Sequence, residues 1–361
     1  MTQIKRLQKI MKEQGVKGIL LSSEVNQRYI SGFDFQDGYI VVLQDEAFVL
    51  TDFRYIEAAN AQLNHEDFEI VTPAGGHLKY VATLAREQGI DTLLVEESAL
   101  SLEDFARFEK AAEGKVAYAS GASAIITEMR LVKTEDELAN MAEAQRITDA
   151  AFSHIISVLN PNMTEIDVAL EIEFFMRKNG AERTSFDTIA VSGSASSMPH
   201  GVPRNVKLER GFLTMDFGCV VGGYCSDMTR TVVLGKADED IKKVYYTVLE
   251  AQTKALEAAA NGERGCYRLD EIARDIINGA GFEGRFGHSL GHGVGMFIHE
   301  SPRLAPGMDR GAKLVTGNVV TFEPGIYIPE KYGCRIEDMA AITDDGIRNF
   351  TKSTKELIEL F

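Results

Sequence analysis

Apolar positions along the first third of the chain alternate between two spacings. In IKRLQKIMKEQG, residues Ile4, Leu7, Ile10 and Met11 recur at helical spacing, and the run stops at Gly15. GILLSS is a short continuous apolar run, the pattern of a buried strand. GYIVVLQDEAFVLTD reads as two strands joined by a turn at Gln44-Asp45-Glu46. Helix RYIEAANAQL, strand FEIVTP, helix LKYVATLAREQG, strand DTLLVEE, helix LEDFARFEKAAE and strand KVAYAS follow. This alternation predicts a mixed α/β domain in which helices cover a sheet.

The pattern changes around 126–133. MRLVKTEDELANMAEAQRITDAAFSHIISVL is one long helical run entered through Thr134, with Glu137 three residues on, a capping-box signature. It stops near Asn160-Pro161, and Thr164 with Asp167 opens another helix, EIDVALEIEFFMRKNG, closed by Gly180. Beyond it the chain is rich in glycine and strand patterns, with helices near 238–260 and 268–279. The expected organisation is an N-terminal domain over 1–125, a linker over 126–133 and a second domain over 134–361.

Composition narrows the function classes. The 361 residues are 45% hydrophobic and 25% charged, as in ordinary globular proteins. A net charge of −16 argues against nucleic acid or an anionic membrane as a general partner, since both need surplus Lys and Arg. The four cysteines (Cys219, Cys225, Cys266, Cys334) form no CxxC pair and read as reduced thiols. No apolar run reaches membrane-spanning length and the charged amphipathic start does not resemble a secretory signal. A cytoplasmic location is therefore expected, and the Asn162 and Asn349 glycosylation patterns are set aside.

Candidate chemistry begins in MDFGCVVGGYCSDMTRT, residues 215–231, which reads as a hairpin with an aspartate on each strand. If Val221-Gly222 form the turn, Asp216 faces Asp227 directly; if Gly222-Gly223 do, the pair is diagonal. Both registers put the two carboxylates on one face, whereas an odd loop or a bulge separates them. Opposed like charges destabilise a sheet, so a shared proton, basic partners or a metal must offset them. The alternative is that one aspartate caps the turn and the other pairs with Arg230.

Two further segments weigh against that alternative. GHSLGHGVGMFIHESPRL holds His288, His292 and His299 among glycines, the setting of a close backbone approach. Its GxGxxG-like look has no helix after it and no downstream ribose-binding acid, which excludes a dinucleotide loop. VVTFEPGIYIPEKYGCRIEDMAAI reads as a second hairpin, in which Glu323 and Glu337 share a face if the loop is odd, for example centred on Glu330, with Gly333 easing a bulge. Two strand pairs thus offer two carboxylates each, and a glycine-flanked histidine adds a nitrogen. Four carboxylates balance two divalent cations, the charge count of a buried dinuclear centre. Oxygen-rich ligation with one imidazole suits Mn²⁺ or Co²⁺ first, with Fe²⁺ or Zn²⁺ as alternatives. Two such ions can hold a bridging hydroxide and polarise a carbonyl.

These three segments resemble the metal motifs of the pita-bread metallopeptidases, which include Xaa-Pro aminopeptidase, prolidase, methionine aminopeptidase and creatinase. ILLSSEVNQRYISGF and LTDFRYIEAA are similar to the creatinase/prolidase-type N-terminal domain. The resemblance implies an α/β (α+β) chain: a creatinase-like domain with a mixed sheet, then a pita-bread catalytic domain whose pseudo-twofold sheet is covered by helices. It implies the metal ligands Asp216, Asp227, His292, Glu323 and Glu337, with Asp216 chelating one ion and Asp227 and Glu337 bridging. It gives His200 and His299 roles in stabilising the gem-diolate or shuttling protons. Arg335 then orients a metal-bridging carboxylate, Arg303 falls where prolidases clamp a substrate carboxylate, with a surface salt bridge as its alternative reading, and His288 belongs to the loop scaffold. Met296-Phe297 and Cys334 depart from the family pattern locally, and Cys225 on the Asp227 face is read as a packing residue rather than a soft ligand.

The activity implied is Xaa-Pro aminopeptidase: hydrolysis, through a metal-bridging hydroxide, of the bond between an N-terminal residue and proline, with Glu323 relaying the proton. The alternatives are Xaa-Pro dipeptidase, another amide or C–N hydrolase on the same scaffold, and a non-peptidase binding member of the fold. Expected partners are short peptides with proline in second position and a second copy of the chain in a homodimer.

Overall fold

A computed structural model describes residues 1–361. The chain divides into two compact units, Met1–Arg130 and Leu131–Phe361.

The first unit interleaves helices α1 (Gln3–Gln14), α2 (Glu24–Ser31), α3 (Ile56–Gln62), α4 (His77–Glu87), α5 (Leu102–Ala112) and α6 (Ala122–Leu131) with six strands. The strands are β1 (Gly18–Leu21), β2 (Tyr39–Leu43), β3 (Ala47–Leu50), β4 (Glu69–Val71), β5 (Thr92–Val95) and β6 (Ala117–Ser120). They form one mixed sheet in the order β4-β3-β2-β1-β5-β6, the mixed α/β arrangement that the periodicity predicts. The β2–β3 turn is tighter than expected: Leu43 and Glu46 close it by a backbone bond of 2.8 Å, leaving only Gln44-Asp45 at the tip. The segment 126–133 is not a linker for most of its length. Residues to Leu131 continue α6, where Ile125, Ile126 and Met129 are buried. Helix α2, absent from the sequence reading, begins where the buried Glu96 carboxylate accepts from the Ser23 backbone N–H at 2.9 Å.

The second unit opens with α7 (Glu135–Val158) and α8 (Glu165–Lys178), each entered through the capping box predicted for it. Strands β7 (Arg183–Thr184), β8 (Ile189–Ser192), β9 (Gly211–Phe217), β10 (Cys219–Val221), β11 (Tyr224–Cys225) and β12 (Met228–Leu234) follow. Helices α9 (Glu239–Ala260) and α10 (Cys266–Gly279) separate them from β13 (Gly291–Gly293), β14 (Glu300–Leu304), β15 (Val319–Phe322), β16 (Gly325–Ile328), β17 (Tyr332–Arg335), β18 (Asp338–Thr343), β19 (Gly346–Asn349) and β20 (Glu359–Leu360). Two main sheets result, β20-β12-β9-β8 and β14-β13-β15-β18-β19. Helices α7 and α8 cover the first, with Ile147, Ile155 and Ile172 meeting Leu213, Met215 and Phe217. Helices α9 and α10 cover the second, with Val248, Leu269 and Ile277 meeting Val320, Phe322 and Ile342.

Register settles the two hairpins. Val221 pairs with Tyr224, so the turn is Gly222-Gly223, and φ is +57° and +83° at these two residues. Both central residues of a type I′ turn require positive φ, which glycine supplies without strain. Asp216 therefore pairs with Thr229 and sits diagonal to Asp227; the Val221-Gly222 register is not adopted. In the second hairpin Ile328 pairs with Tyr332 around a loop centred on Glu330, itself at φ +63°. Phe322 pairs with Asp338 in the same register, which sets Glu323 opposite Glu337. Gly333 makes no bulge. It is glycine because a Cβ there would lie 2.4 Å from the Ser196 carbonyl oxygen.

Candidate metal centre and active site

Asp216 is paired on both sides within β9, whereas Asp227, Glu323 and Glu337 stand just outside strand ends, before β12, after β15 and between β17 and β18. His292 arrives on β13, which is squeezed between β14 and β15. A Cβ at Gly291 would stand 1.9 Å from the Thr321 carbonyl oxygen and one at Gly293 2.2 Å from that of Ser301. The flanking glycines are thus what lets this strand enter the gap. His292 Nδ1 faces the Gly293 carbonyl at 3.0 Å, which leaves Nε2 pointing at Glu323 Oε1 (3.3 Å) and Asp227 Oδ2 (3.6 Å). Fixing one ring nitrogen on a carbonyl is how a metal-binding imidazole is oriented.

Ligand atoms of Asp227, His292 and Glu337 lie within 4.8 Å of one another, and all three residues are buried. Asp216 and Glu323 line the same cavity of about 440 Å³. Asp216 is held by Arg335, whose Nη2 donates to Oδ2 at 2.6 Å. Arg335 Nε donates to Thr229 Oγ1 (3.0 Å), which in turn donates to Glu337 Oε2 (2.7 Å). Arg335 therefore orients Asp216 directly, rather than one of the two acids expected to bridge, and reaches Glu337 only through Thr229. Its Nη1 donates to Tyr327 Oη (2.6 Å), which lies 3.0 Å from His288 Nε2.

The electrostatics match a cluster of acids built for cations. Burial, then the charges of Glu337 and Asp216, push the Asp227 carboxyl well above its usual range. Burial and the Glu323 and Asp216 charges do the same to Glu337. Asp216 is also raised by burial, against the pull of Arg335. For Glu323, burial is outweighed by the hydrogen bond and charge of His292, which hold its carboxyl below the usual value. Asp216 Oδ1 is buried without a hydrogen-bond partner. An orphaned buried carboxylate oxygen beside mutually repelling acids is costly unless a cation meets it, so this donor set fits divalent metal ions.

His200, His299 and Arg303 line the same cavity, as does His288. The His299 ring packs edge-on against His292 at 4.5 Å. Arg303 pairs directly with His292 across β13 and β14, which puts both side chains on one face of the ladder. Phe186, Ile189, Pro199, Val202 and Ile298 give the cavity an apolar wall. Arg230 pairs with neither aspartate; it is buried against Asp338 at 2.8 Å. Cys225 Sγ is turned to the Met296 carbonyl at 3.7 Å, the packing position read from the sequence. Sequence reasoning missed Thr229 and Tyr327. Thr229 had a local signal, since it follows Asp227 by two residues and shares its face.

An oxygen-rich cluster with one oriented imidazole, opening into a half-apolar cavity, defines a metal-dependent hydrolase. The chain belongs to metallopeptidase family M24, which it matches over residues 139–344, and residues 3–132 match the creatinase/prolidase N-terminal domain. It is 41% identical to a solved Xaa-Pro dipeptidase from Bacillus anthracis, with a TM-score of 0.92 and 99% of each chain covered. It is 36% identical to the Xaa-Pro dipeptidase of Pyrococcus furiosus, over 98% of this chain and 99% of the other. The X-Pro aminopeptidase of Thermotoga maritima is 32% identical with a TM-score of 0.90, covering 98% of this chain and all of the other. The catalytic unit accordingly has the pita-bread fold, and the protein is a hydrolase of the metallopeptidase class.

Proposed function

We propose that the protein is an Xaa-Pro dipeptidase that uses two divalent ions held by Asp216, Asp227, His292, Glu323 and Glu337. The observation that carries the dipeptidase reading is the place of Arg303, which pairs with His292 across β13 and β14 and lines the cavity that holds the acid cluster. A dipeptide ends in a carboxylate one residue beyond the scissile bond, and a guanidinium binds a carboxylate through two parallel bonds. The dipeptidase relatives at 36% and 41% identity support the same choice. The aminopeptidase reading from the sequence keeps support from the Thermotoga relative.

A bond to proline has no N–H and is populated in both cis and trans forms, so recognition must come from the ring and the chain ends. The apolar wall of Pro199, Val202 and Ile298 takes the ring, and Arg303 takes the carboxylate. Bound divalent ions supply Lewis acidity and a water acidic enough to lose its proton near neutral pH. Glu323, which lines the same cavity, would take up a proton there. It would then pass that proton to the departing proline nitrogen. His200 and His299 donate to the carbonyl oxygen as negative charge develops there.

The test compares Ala-Pro with Ala-Pro-Ala after loading with Mn²⁺ or Co²⁺. Cleavage of Ala-Pro with little cleavage of the tripeptide is expected, and Arg303→Met raises the Ala-Pro KM roughly tenfold or more through the lost charge-assisted bonds. Preference for the tripeptide assigns the aminopeptidase activity instead. Failure on both overturns the Xaa-Pro assignment.

A further inference from the structure

His200 reaches the cavity from a loop rather than from a strand. The loop leaves β8 at Ser192, passes through a short 3-10 turn at Gly193–Ser197, carries His200 beside Pro199 and Gly201, and returns at Arg204. Both of its ends meet one carboxylate, that of Glu165. Oε1 accepts from Ser192 N (2.7 Å), Ser192 Oγ (2.9 Å) and Arg204 Nη2 (2.7 Å). Oε2 accepts from Arg204 N (2.9 Å) and Arg204 Nε (2.8 Å). The side chain is fully buried, and an ionised carboxylate has about four acceptor sites, so these donors saturate it.

Glu165 is itself held in place. It is the first residue of α8, directly after the Thr164 cap, where the helix dipole favours a negative charge. Its backbone N–H donates to the Val206 carbonyl at 3.2 Å and that of Ile166 to the Arg204 carbonyl at 3.4 Å, so the returning chain is docked on the helix start. The far side of the loop is fixed by the metal-site framework: Arg335 Nη1 donates to the Pro199 carbonyl (3.2 Å) and Gly333 N to Ser196 Oγ (3.0 Å).

We propose that Glu165 is a positioning residue for catalysis: its buried carboxylate cinches Ser192 to Arg204 and thereby sets the place of His200 in the active-site cavity. A buried carboxylate stripped of donors is strongly disfavoured, so neither end of the loop can leave Glu165 without a large cost. Between those ends the loop is held at Ser196 by Gly333 and at Pro199 by Arg335. Arg335 also grips Asp216, which couples the His200 loop to the acid cluster through one guanidinium. The inference rests on the catalytic reading of the cavity given above.

Glu165→Gln tests it, because the volume is kept while one acceptor becomes an NH₂ facing a donor. Hydrogen exchange of amides 193–203 is expected to accelerate at least about tenfold. The kcat/KM for Ala-Pro is expected to fall about 10- to 100-fold, as displacement of a catalytic group by about 1 Å does. In a His200→Ala background Glu165→Gln should cost nothing more, since the group it positions is gone. Additive losses in the double variant, or unchanged exchange over 193–203, overturn the proposal. Arg204→Lys, which keeps the charge and the backbone N–H but loses the fork, is expected to give a smaller loss of the same kind; full activity in that variant combined with unchanged exchange overturns it as well. If the wild type cleaves no Xaa-Pro substrate, the activity reading fails, while the exchange result still decides whether Glu165 cinches the loop.

Discussion

Thr229 shows how one hydroxyl organises several charges. It donates to Glu337 Oε2 and accepts from Arg335 Nε, and so joins the guanidinium that grips Asp216 to an acid on the opposite sheet. Its backbone carbonyl accepts the Glu337 N–H at 3.1 Å, which fixes the same acid a second way. Thr229→Val keeps the shape and removes only the hydroxyl. Supporting bonds of this kind are worth about 10- to 100-fold in metal affinity, and that loss is expected in a competition titration against a chelator. Unchanged affinity would mean that the backbone bond alone holds Glu337. Tyr327 extends the network on the other side. Burial pushes its phenol up to about 12, so at neutral pH it stays protonated, accepting from Arg335 while donating toward His288.

Among the elements, β13 has the tightest constraints. Gly291→Ala would drive a methyl into the Thr321 backbone, which belongs to the sheet and cannot rotate away. A loss of more than about 2 kcal/mol is expected from the urea midpoint, together with loss of the metal site, because His292 moves with the strand. A variant with normal stability would show that the β13–β15 gap can open. The same scale shows what the sequence makes legible. Strand acids, capping boxes and glycine-flanked histidines are local patterns, so Asp216, Asp227, Glu323 and Glu337 stand out from spacing and charge, whereas the choice of His292 among three histidines comes from the family resemblance. The turn between Asp216 and Asp227 had two solutions of equal local merit, and pairing along the whole β9–β12 ladder chose between them. Helix α2 and the role of Glu165 were hidden for another reason. The Glu96 carboxylate lies 73 residues from the Ser23 amide it caps, and Glu165 bonds to Ser192 and Arg204 at separations of 27 and 39. No periodicity within a segment carries such partnerships. Residues 126–131 of the segment expected as a linker belong to α6, a short helix with Ala122, Ser123, Ile125, Ile126 and Met129 buried.

For the whole molecule, the acid cluster links metal, protons and stability. Without metal, Asp227 and Glu337 hold protons to well above their usual values of 3.8 and 4.5. Across that window the folded chain binds more protons than the unfolded one, so their contribution to stability falls as pH rises. Glu323, held below its usual 4.5, works in the opposite sense: its contribution is present above that value and is lost on acidification. With Asp216 also raised, three raised acids against one lowered one leave the metal-free centre increasingly unfavourable toward neutral pH. Divalent ions need these carboxylates ionised, so their stabilisation grows over the same range. At about 100-fold excess over Kd, a bound ion contributes roughly 2.7 kcal/mol. The Tm difference between Mn²⁺-loaded and EDTA-treated protein is therefore expected to widen steadily from about pH 5 to about pH 8 in matched scans. A gap that stays constant or narrows would mean that the carboxylates are already ionised and neutralised by the protein itself, with Arg335 rather than metal as their principal countercharge.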